Sequence, residues 1–254
     1  MNKHDIIQSI KKIVVGNTEH YRFGNNRLKF LTGSRPIKRK YLNADNDVVR
    51  NDVLQINYME DNFKESDVLW DIGSHHGHYS IFAATIAKAN NQVFSFEPDA
   101  VARKIQAGNI ELNGFADKIT IFPDAVSNTI GVLHFKELNG NSNSHIVKNK
   151  STNDNQINAV NSVTLDSLTE ILPCPTFVKI DTEGAEIDIL STAGRLLKNK
   201  NVQFICELHP FAWDEFNVKY ETFAGLLKEH GRALTLLDNR KQITDLPFYG
   251  TVLF

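Results

Sequence analysis

The chain has 254 residues, of which 41% are hydrophobic and 23% are charged, as is typical of a folded protein with one sizeable core. The formal net charge of -2 at pH 7 provides no global basic field for binding nucleic acid. We expect no membrane span and no signal peptide, because no stretch has the required apolar length. Cys174 and Cys206 lack metal-ligand spacing and form no disulfide framework, so a cytoplasmic protein is expected.

Residues 1–66 precede the first strand of the expected core. Apolar residues recur at helical spacing over residues 6–14 and again over residues 49–63, and turn-rich polar sequence separates the two stretches. We therefore predict an N-terminal helical segment, residues 1–66, packed on a main domain that covers residues 67–254.

Short apolar strands alternate with amphipathic helices from residue 67 onward. The predicted strands cover residues 68–72, 92–96, 118–122, 177–180, 202–206, 233–237 and 250–254. The predicted helices cover residues 79–89, 99–112, 185–197 and 221–230. This alternation predicts an α/β fold with a largely parallel sheet and helices on both faces. Ligands of such sheets bind outside the carboxyl ends of the strands.

The first predicted strand leads into a glycine turn, and the second ends in a carboxylate. Asp71, Gly73 and Gly77 are spaced as D-x-G-x-x-x-G, and Glu97 follows the next strand. Glycines let the backbone approach a ligand, and an acid at the second strand end can bind both hydroxyls of a ribose. The dinucleotide fingerprint G-x-G-x-x-G is missing, because His75 stands two residues after Gly73. S-adenosylmethionine, which has a cationic amino-acid part and no phosphate, fits this arrangement.

Further candidate residues follow the later strands. Asp124 comes after the third strand, Asp181 and Glu183 after the fourth, and Glu207 and His209 after the fifth. Because these strand ends meet at one rim of a parallel sheet, we expect them to surround a common site. Simpler roles stay open: Asp124 could start a turn rather than contact adenine, and Glu207 and His209 could form a rim salt bridge.

Two groups of residues raise the question of a metal. Three histidines lie between residues 75 and 78, but neighbours in a turn rarely point at one centre, and no third-ligand pattern completes a site. A site built from Asp181, Glu207 and His209 is geometrically conceivable, since neighbouring strand ends converge. The default expectation is that no metal is bound.

Residues 136–161 are long and polar for a connection inside a compact domain. Such segments are often lids or insertions that contact a substrate, and the alternative is a flexible surface loop around a hairpin. Ser144 and His145 in this segment are candidate substrate-binding residues.

Several motifs together resemble the FkbM-type family of S-adenosylmethionine-dependent methyltransferases. They occupy residues 71–80, 96–98, 109–113, 125–127, 163–168 and 179–186. The piece K-I-D-x-E-G-x-E at residues 179–186 is the most specific, and the resemblance covers about residues 67–210. The glycine turn usually reads G-A-N-x-G in that family, whereas His75 stands here in place of the asparagine.

The resemblance implies a Rossmann-like class I methyltransferase fold, a seven-stranded mostly parallel sheet with one reversed strand and helices on both faces. It implies that S-adenosyl-L-methionine is the cofactor, that Glu97 binds its ribose, and that Asp124 and Ala125 lie near its adenine. It also implies that Asp181 and Glu183 lie near the transferred methyl group. The residues implied around the rest of the cofactor are Asp71, Gly73, His75, Gly77 and Tyr79.

The expected activity is O-methylation of a hydroxyl on a sugar, a glycan or a small natural product. Asp181 or Glu183 is the first candidate for the general base, and His209 or His145 is the second. Two alternatives are kept: an NAD(P)-dependent oxidoreductase on a similar fold, and a cofactor-binding module without catalysis. The first lacks support because no tyrosine is followed by lysine four residues later.

Overall fold

A computed structural model describes residues 18–23, 25–34, 47–148, 155–242 and 247–254. The strands in chain order are β1 (Thr18–Phe23), β2 (Asn26–Leu31), β3 (Leu69–Ile72), β4 (Val93–Phe96), β5 (Ile119–Phe122), β6 (Ala125–Val126), β7 (Gly131–Lys136), β8 (His145–Val147), β9 (Ile157–Val163), β10 (Phe177–Ile180), β11 (Gln203–Leu208), β12 (Thr235–Leu236) and β13 (Gly250–Leu253). The helices are α1 (Asp47–Asn62), α2 (His78–Ile86), α3 (Ala100–Asn113), α4 (Leu165–Leu168), α5 (Glu186–Leu190), α6 (Gly194–Lys198), α7 (Trp213–Phe216) and α8 (Tyr220–Glu229), with a 3₁₀ turn at Pro210–Ala212.

The central sheet has seven strands in the order β12-β13-β11-β10-β3-β4-β5. Neighbouring strands are parallel except for β13, which is antiparallel to both β11 and β12. This is the class I methyltransferase arrangement with one reversed strand, and the predicted fold is confirmed.

Alternation along the inner strands produces two cores, because successive side chains of a strand point to opposite faces. Leu69 of β3 joins a cluster that contains Ile56 of α1 and Phe82 of α2. Its neighbour Trp70 joins the cluster on the other face, which contains Ile187 of α5. Helices therefore cover both faces of the sheet.

The described part of residues 1–66 contains a β hairpin that the sequence analysis did not predict. Strands β1 and β2 pair antiparallel, and apolar residues alternate with polar ones along both. The buried ring of Phe23 stacks on Phe82 of α2, with the ring centroids 4.7 Å apart and an interplanar angle of 15°. The predicted helix over residues 6–14 lies outside the described residues. Helix α1 matches the prediction for residues 49–63.

A second, four-stranded sheet has the order β6-β9-β7-β8. Residues 131–136 of β7 pair antiparallel with residues 157–162 of β9, so the described part of residues 136–161 is arranged around a hairpin. Residues 149–154 lie outside the described part. The connection between β7 and β8 leads toward the carboxyl ends of the central strands, which positions it to line a site there.

The helix predicted over residues 185–197 is broken into α5 and α6. The N–H groups of Thr192 and Ala193 bind carbonyls three residues back, so the chain tightens into a turn between the two helices. The carboxylate of Asp166 then accepts the N–H of Arg195 at 3.0 Å and caps the start of α6. An acceptor supplied by a distant residue therefore interrupts a continuous helical pattern.

Among the described residues, no helix combines the length and the apolar character needed to cross a membrane.

Candidate active site

A cavity of about 580 Å³ opens at the carboxyl ends of the central strands. Its volume lies in the range of small-molecule sites, roughly 300–1,000 Å³. The sheet order changes direction between β3 and β10, and ligands of such sheets bind at that point. The lining residues used below are Ser34, Asp52, Gly73, His75, Tyr79, Glu97, Ala125, Val126, Phe135, Ser144, Ile146, Lys179, Asp181, Glu183, Glu207, His209 and Tyr249.

Gly73 allows the ends of β3 and β10 to come into contact. Its backbone has φ 75°, and a Cβ atom there would lie 1.9 Å from the backbone oxygen of Asp181. Any side chain would force the two strand ends apart, so glycine is required by space as well as by conformation. The glycine turn and Asp181 consequently lie side by side at the cavity wall.

His75 and Glu97 connect the glycine turn with β4. His75 has φ 47°, and its N–H donates to Glu97 Oε2 at 2.8 Å. The N–H of Asp99 donates to Glu97 Oε1 at 2.8 Å. Burial raises the pKa of Glu97 to about 7 although both backbone bonds favour its ionised form. The carboxylate is thus held at the cavity by two donors and retains lone pairs for a ligand.

The segment between β7 and β8 is tied to this part of the site. Asp99 Oδ2 accepts Ser144 Oγ at 2.8 Å and the N–H of Gly140 at 3.1 Å. A ring nitrogen of His75, Nε2, lies 2.8 Å from the Gly140 oxygen. Ser144 lines the cavity, whereas His145 does not, because alternation along β8 turns His145 to the other face.

Three of the predicted cofactor residues do not line the cavity. Asp71 is buried beneath the glycine turn, where its Oδ2 accepts Ser80 Oγ at 2.6 Å. Gly77 begins α2 with φ 80° and packs against Gln106. Asp124 is half-buried beside the cavity, while its neighbour Ala125 lines it. Burial raises the pKa of Asp71.

An acidic cluster lies at and just beneath the cavity wall, around the ends of β3, β10 and β11. It comprises the carboxyl groups of Asp52, Asp71, Asp181, Glu183, Glu186 and Glu207 together with the basic side chains of Lys179 and His209. Six acids therefore surround two bases. The cluster thus contains more carboxyl groups than basic side chains, and protons on some of the acids or a bound cation would offset the difference.

Lys179 is a buried residue of the cavity lining and organises part of this cluster. Its Nζ donates to Asp181 Oδ2 at 2.9 Å and lies 4.2 Å from the ring centroid of Tyr79. Burial opposes the charge of Lys179, but Asp181, Asp71 and the other acids outweigh it and raise the pKa of Lys179 to about 12. Burial likewise opposes ionisation of Asp181, but the positive charge of Lys179 outweighs burial and lowers the pKa of Asp181. Asp181 is consequently an ionised carboxylate and a weak base.

His209 is oriented by Glu186, which is fully buried. His209 Nδ1 lies 2.9 Å from Glu186 Oε1, and Trp213 Nε1 donates to Glu186 Oε2 at 3.2 Å. The other ring nitrogen, Nε2, lies 3.8 Å from Asp181 Oδ1 and 3.8 Å from Glu183 Oε2. Burial alone would lower the pKa of His209, but Glu186 and the other carboxylates raise it to about 10.

Glu183 lines the cavity, and its Oε2 lies 3.8 Å from His209 Nε2. Its backbone has φ 54°, an unusual conformation for a residue with a long side chain and one that often occurs at functional sites. Burial, supported by the nearby carboxylates, raises the pKa of Glu183 to about 7, although His209 opposes the shift. A carboxylate with this pKa exchanges protons readily near neutral pH.

Helix α1 supplies a further part of the wall. Its Gln55 donates through Nε2 to Glu207 Oε2 at 2.7 Å, and the Tyr249 hydroxyl donates to Glu207 Oε1. Tyr79 OH donates to Asp52 Oδ1 at 3.1 Å. Burial, reinforced by Glu207 and Asp181, raises the pKa of Asp52 to about 8.

The sequence analysis assigned no role to Lys179, Asp52, Gln55 or Tyr249. For two of these residues, the sequence contains a pattern that indicates a buried position. Lys179 is the charged residue in the otherwise apolar strand Phe177–Ile180, where it needs a buried counter-ion. Asp52 precedes the buried Ile56 and Met59 by four and seven residues, which places it on the inward face of the helix.

Comparison with protein families shows the family to which this fold belongs. The profile described as "Methyltransferase FkbM domain" matches residues 71–241. The chain belongs to the FkbM methyltransferase family. The match includes the glycine turn, Glu97 and the acidic residues after β10 and β11. No curated protein sequence matches the chain.

Solved structures with a similar fold include an FkbM methyltransferase from Methylobacillus flagellatus KT. It is 15% identical with a TM-score of 0.48, and the match covers 83% of this chain and 55% of that one. A putative rRNA-methylase from Clostridium thermocellum is 15% identical with a TM-score of 0.46, and 78% and 89% of the chains are covered. The 16S rRNA N2 G1207 methyltransferase of T. Thermophilus is 12% identical with a TM-score of 0.48, and 93% and 49% are covered.

Replacing Gly73 by alanine should disrupt the contact between the two strand ends. We expect Gly73→Ala to lower the free energy of unfolding by about 2–4 kcal/mol. The added Cβ would clash with the backbone oxygen of Asp181, and alanine is strained at a positive φ. Gly225→Ala is the matched control: it lies within α8, where an added Cβ has no atom within 4 Å. Since alanine is the better helix former, Gly225→Ala should raise stability by up to about 1 kcal/mol. Urea unfolding measures the stability of both variants. Equal changes in the free energy of unfolding would contradict the requirement for glycine at residue 73.

Proposed function

We propose that this FkbM-family protein is an S-adenosylmethionine-dependent O-methyltransferase that acts on a hydroxyl of a sugar, a glycan or a small natural product. The observation that carries the proposal is the geometry of the cavity, in which a glycine turn, an oriented carboxylate and an acidic wall converge. The glycine turn lines the cavity at Gly73, and Glu97 is aligned there by two N–H donors. The negative wall suits a cofactor that carries a positive charge.

The cavity residues fit the parts of this cofactor in turn. Glu97 would accept hydrogen bonds from the ribose hydroxyls, and Ala125, with Asp124 beside it, would adjoin the adenine. His75 and the glycine turn, underlain by Asp71 and Gly77, would face the methionine part, with Tyr79 and Asp181 near the sulfur. When bound, the cofactor supplies a methyl group on a positively charged sulfur for in-line attack by the acceptor oxygen.

The acceptor would contact the two segments that carry no cofactor motif, which are the N-terminal segment and residues 136–161. Ser34 and Asp52 contribute to the cavity from the N-terminal segment, and Phe135, Ser144 and Ile146 from the second sheet. This mixture of apolar and hydrogen-bonding side chains suits a small hydroxylated molecule. The net charge of -2 gives no support for a nucleic acid acceptor. Because His145 does not line the cavity, we assign acceptor contacts to Ser144 and Glu207 in preference to it.

Glu183 is the proposed general base. It reaches the cavity beside Asp181, and its pKa of about 7 allows it to take up the hydroxyl proton near neutral pH. Asp181 is less suited to that task, since its pairing with Lys179 keeps it ionised. His209 neighbours Glu183 and stabilises its ionised form, as a positively charged side chain would.

An oxidoreductase function has less support. The turn lacks G-x-G-x-x-G, and no tyrosine–lysine pair is spaced for hydride chemistry. A module that binds the cofactor without catalysis stays an alternative that turnover measurements distinguish. Incubation with S-adenosylmethionine and a panel of hydroxylated acceptors, followed by quantification of S-adenosylhomocysteine, is the test of the proposed activity.

Cofactor affinity should depend on the ionisation of Glu97. The ionised carboxylate is the better acceptor of hydrogen bonds from the ribose hydroxyls. Binding of S-adenosylhomocysteine should therefore be strongest above the Glu97 pKa of about 7 and weaken as the pH falls through that value. Calorimetric titration should show a loss of about tenfold in affinity between pH 8 and pH 6. Glu97→Gln should bind weakly at both pH values. A variant that retained the wild-type affinity and pH dependence would exclude this role.

Glu183→Gln should separate chemistry from cofactor binding. The amide cannot accept the hydroxyl proton, so kcat with an identified acceptor should fall by about 10²- to 10⁴-fold. Binding of S-adenosylhomocysteine should be retained. Asp214→Asn, which removes an exposed carboxylate of α7, is the matched control and should leave kcat unchanged. Full turnover by Glu183→Gln would remove Glu183 as the base.

A further inference from the structure

We propose that Asp181, Glu207 and His209 form a binding site for one divalent metal cation in the cavity wall. Each residue offers one ligand atom, and these two carboxylate oxygens and one imidazole nitrogen all lie within 4.8 Å of one another. Zinc-type bonds of about 2.0–2.1 Å in tetrahedral geometry separate ligand atoms by about 3.3 Å. The 3.8 Å between His209 Nε2 and Asp181 Oδ1 is somewhat wider, so a bound cation would draw these two side chains closer together.

The Nε2 atom of His209 is the nitrogen ligand of the proposed site. The residue is only 2% exposed, and Nε2 lies 3.8 Å from the nearest carboxylate oxygens, beyond hydrogen-bond distance. Among the described residues, no side chain or backbone group forms a hydrogen bond with it. Nε2 therefore faces two carboxylate oxygens across gaps wider than a hydrogen bond, and a cation that displaced the Nε2 proton would fit between them.

Each proposed ligand residue forms a hydrogen bond with a second side chain, which fixes its orientation. Glu186 binds Nδ1 of His209 at 2.9 Å, the carboxylate–histidine contact that fixes the ring and turns Nε2 toward a metal. Lys179 occupies Oδ2 of Asp181 and leaves Oδ1 directed at His209. Such outer contacts orient the ligands before a cation binds.

Glu207 is held in the same way. Gln55 binds one carboxylate oxygen at 2.7 Å and Tyr249 binds the other, which restricts the rotation of the side chain. Each oxygen keeps a second lone pair that could contact a cation.

The charge of the surroundings also favours a cation. The acidic cluster contains six carboxyl groups and only two basic side chains, and all of them lie at or just beneath one wall. Carboxylate oxygens suit Mn²⁺ and Mg²⁺, whereas imidazole suits Zn²⁺ and other first-row cations. The mixed ligand set therefore indicates a first-row divalent cation such as Mn²⁺ or Zn²⁺.

The position of the site suggests its use, and this step rests on the proposed methyltransferase function. All three ligands line the cavity, so a bound cation would keep coordination positions open toward the acceptor. An acceptor hydroxyl bound there would have a lowered pKa, and its proton would pass to Glu183. The site would select acceptors with two adjacent oxygen atoms that can chelate a cation, such as the vicinal hydroxyls of a sugar.

Calorimetric titration of the chelator-treated full chain with MnCl₂, and separately with ZnCl₂, tests the site. One ion per chain should bind to the wild type. His209→Asn and Asp181→Asn should each weaken binding at least tenfold, and Glu186→Gln should weaken it about 10- to 100-fold because it releases the ring of His209. Asp214→Asn should bind like the wild type. Thermal unfolding with and without Mn²⁺ verifies that each variant is folded.

Absence of saturable binding of both ions by the wild type would overturn the proposal. Unchanged binding by the folded variants would overturn it as well. Titration of the metal-free protein with S-adenosylhomocysteine keeps this failure distinct from a failure of the proposed function. Binding of S-adenosylhomocysteine without metal binding removes the metal site alone, whereas loss of cofactor binding removes the methyltransferase function.

Discussion

The close approach of β3 and β10 at Gly73 is the constraint on which the site depends. A Cβ atom at residue 73 would lie 1.9 Å from the Asp181 oxygen, so the glycine turn and the acidic wall are parts of one surface. The sheet order changes direction at this pair of strands, which opens the crevice above them. Through His75 and Glu97 the same turn also reaches β4. One short contact thereby brings the proposed cofactor and acceptor regions together.

The second organising feature is an excess of buried negative charge around Lys179. Asp181 stays ionised because of Lys179, whereas burial among carboxylates raises the pKa of Glu183 to about 7. The two acids lie two residues apart, yet they differ in their affinity for a proton. This difference is the reason for proposing electrostatic binding by Asp181 and proton transfer by Glu183. The proposed cation site depends on the same excess of charge.

Short sequence motifs predicted those features of the molecule that depend on residues close together in the chain. The glycine turn, Glu97 and the strand-end acids follow from short motifs. The β-α alternation predicted a largely parallel sheet, and the family resemblance implied its seven strands with one reversed. The pairing of Glu186 with His209 joins residues 23 positions apart and requires the packed turn after β11. The orientation of His145 away from the cavity depends on the register of β8, which no sequence pattern specified. Apolar and polar residues alternate along β1 and β2, and this period of two is a strand signal that the sequence itself carries.

The central claim is that this cavity binds a sulfonium-type cofactor and no nicotinamide cofactor. Parallel calorimetric titrations of the purified protein with S-adenosylhomocysteine, NAD and NADP test it most directly. We predict saturable binding of one S-adenosylhomocysteine per chain and no binding of NAD or NADP. Saturable binding of NAD or NADP without binding of S-adenosylhomocysteine would contradict the account.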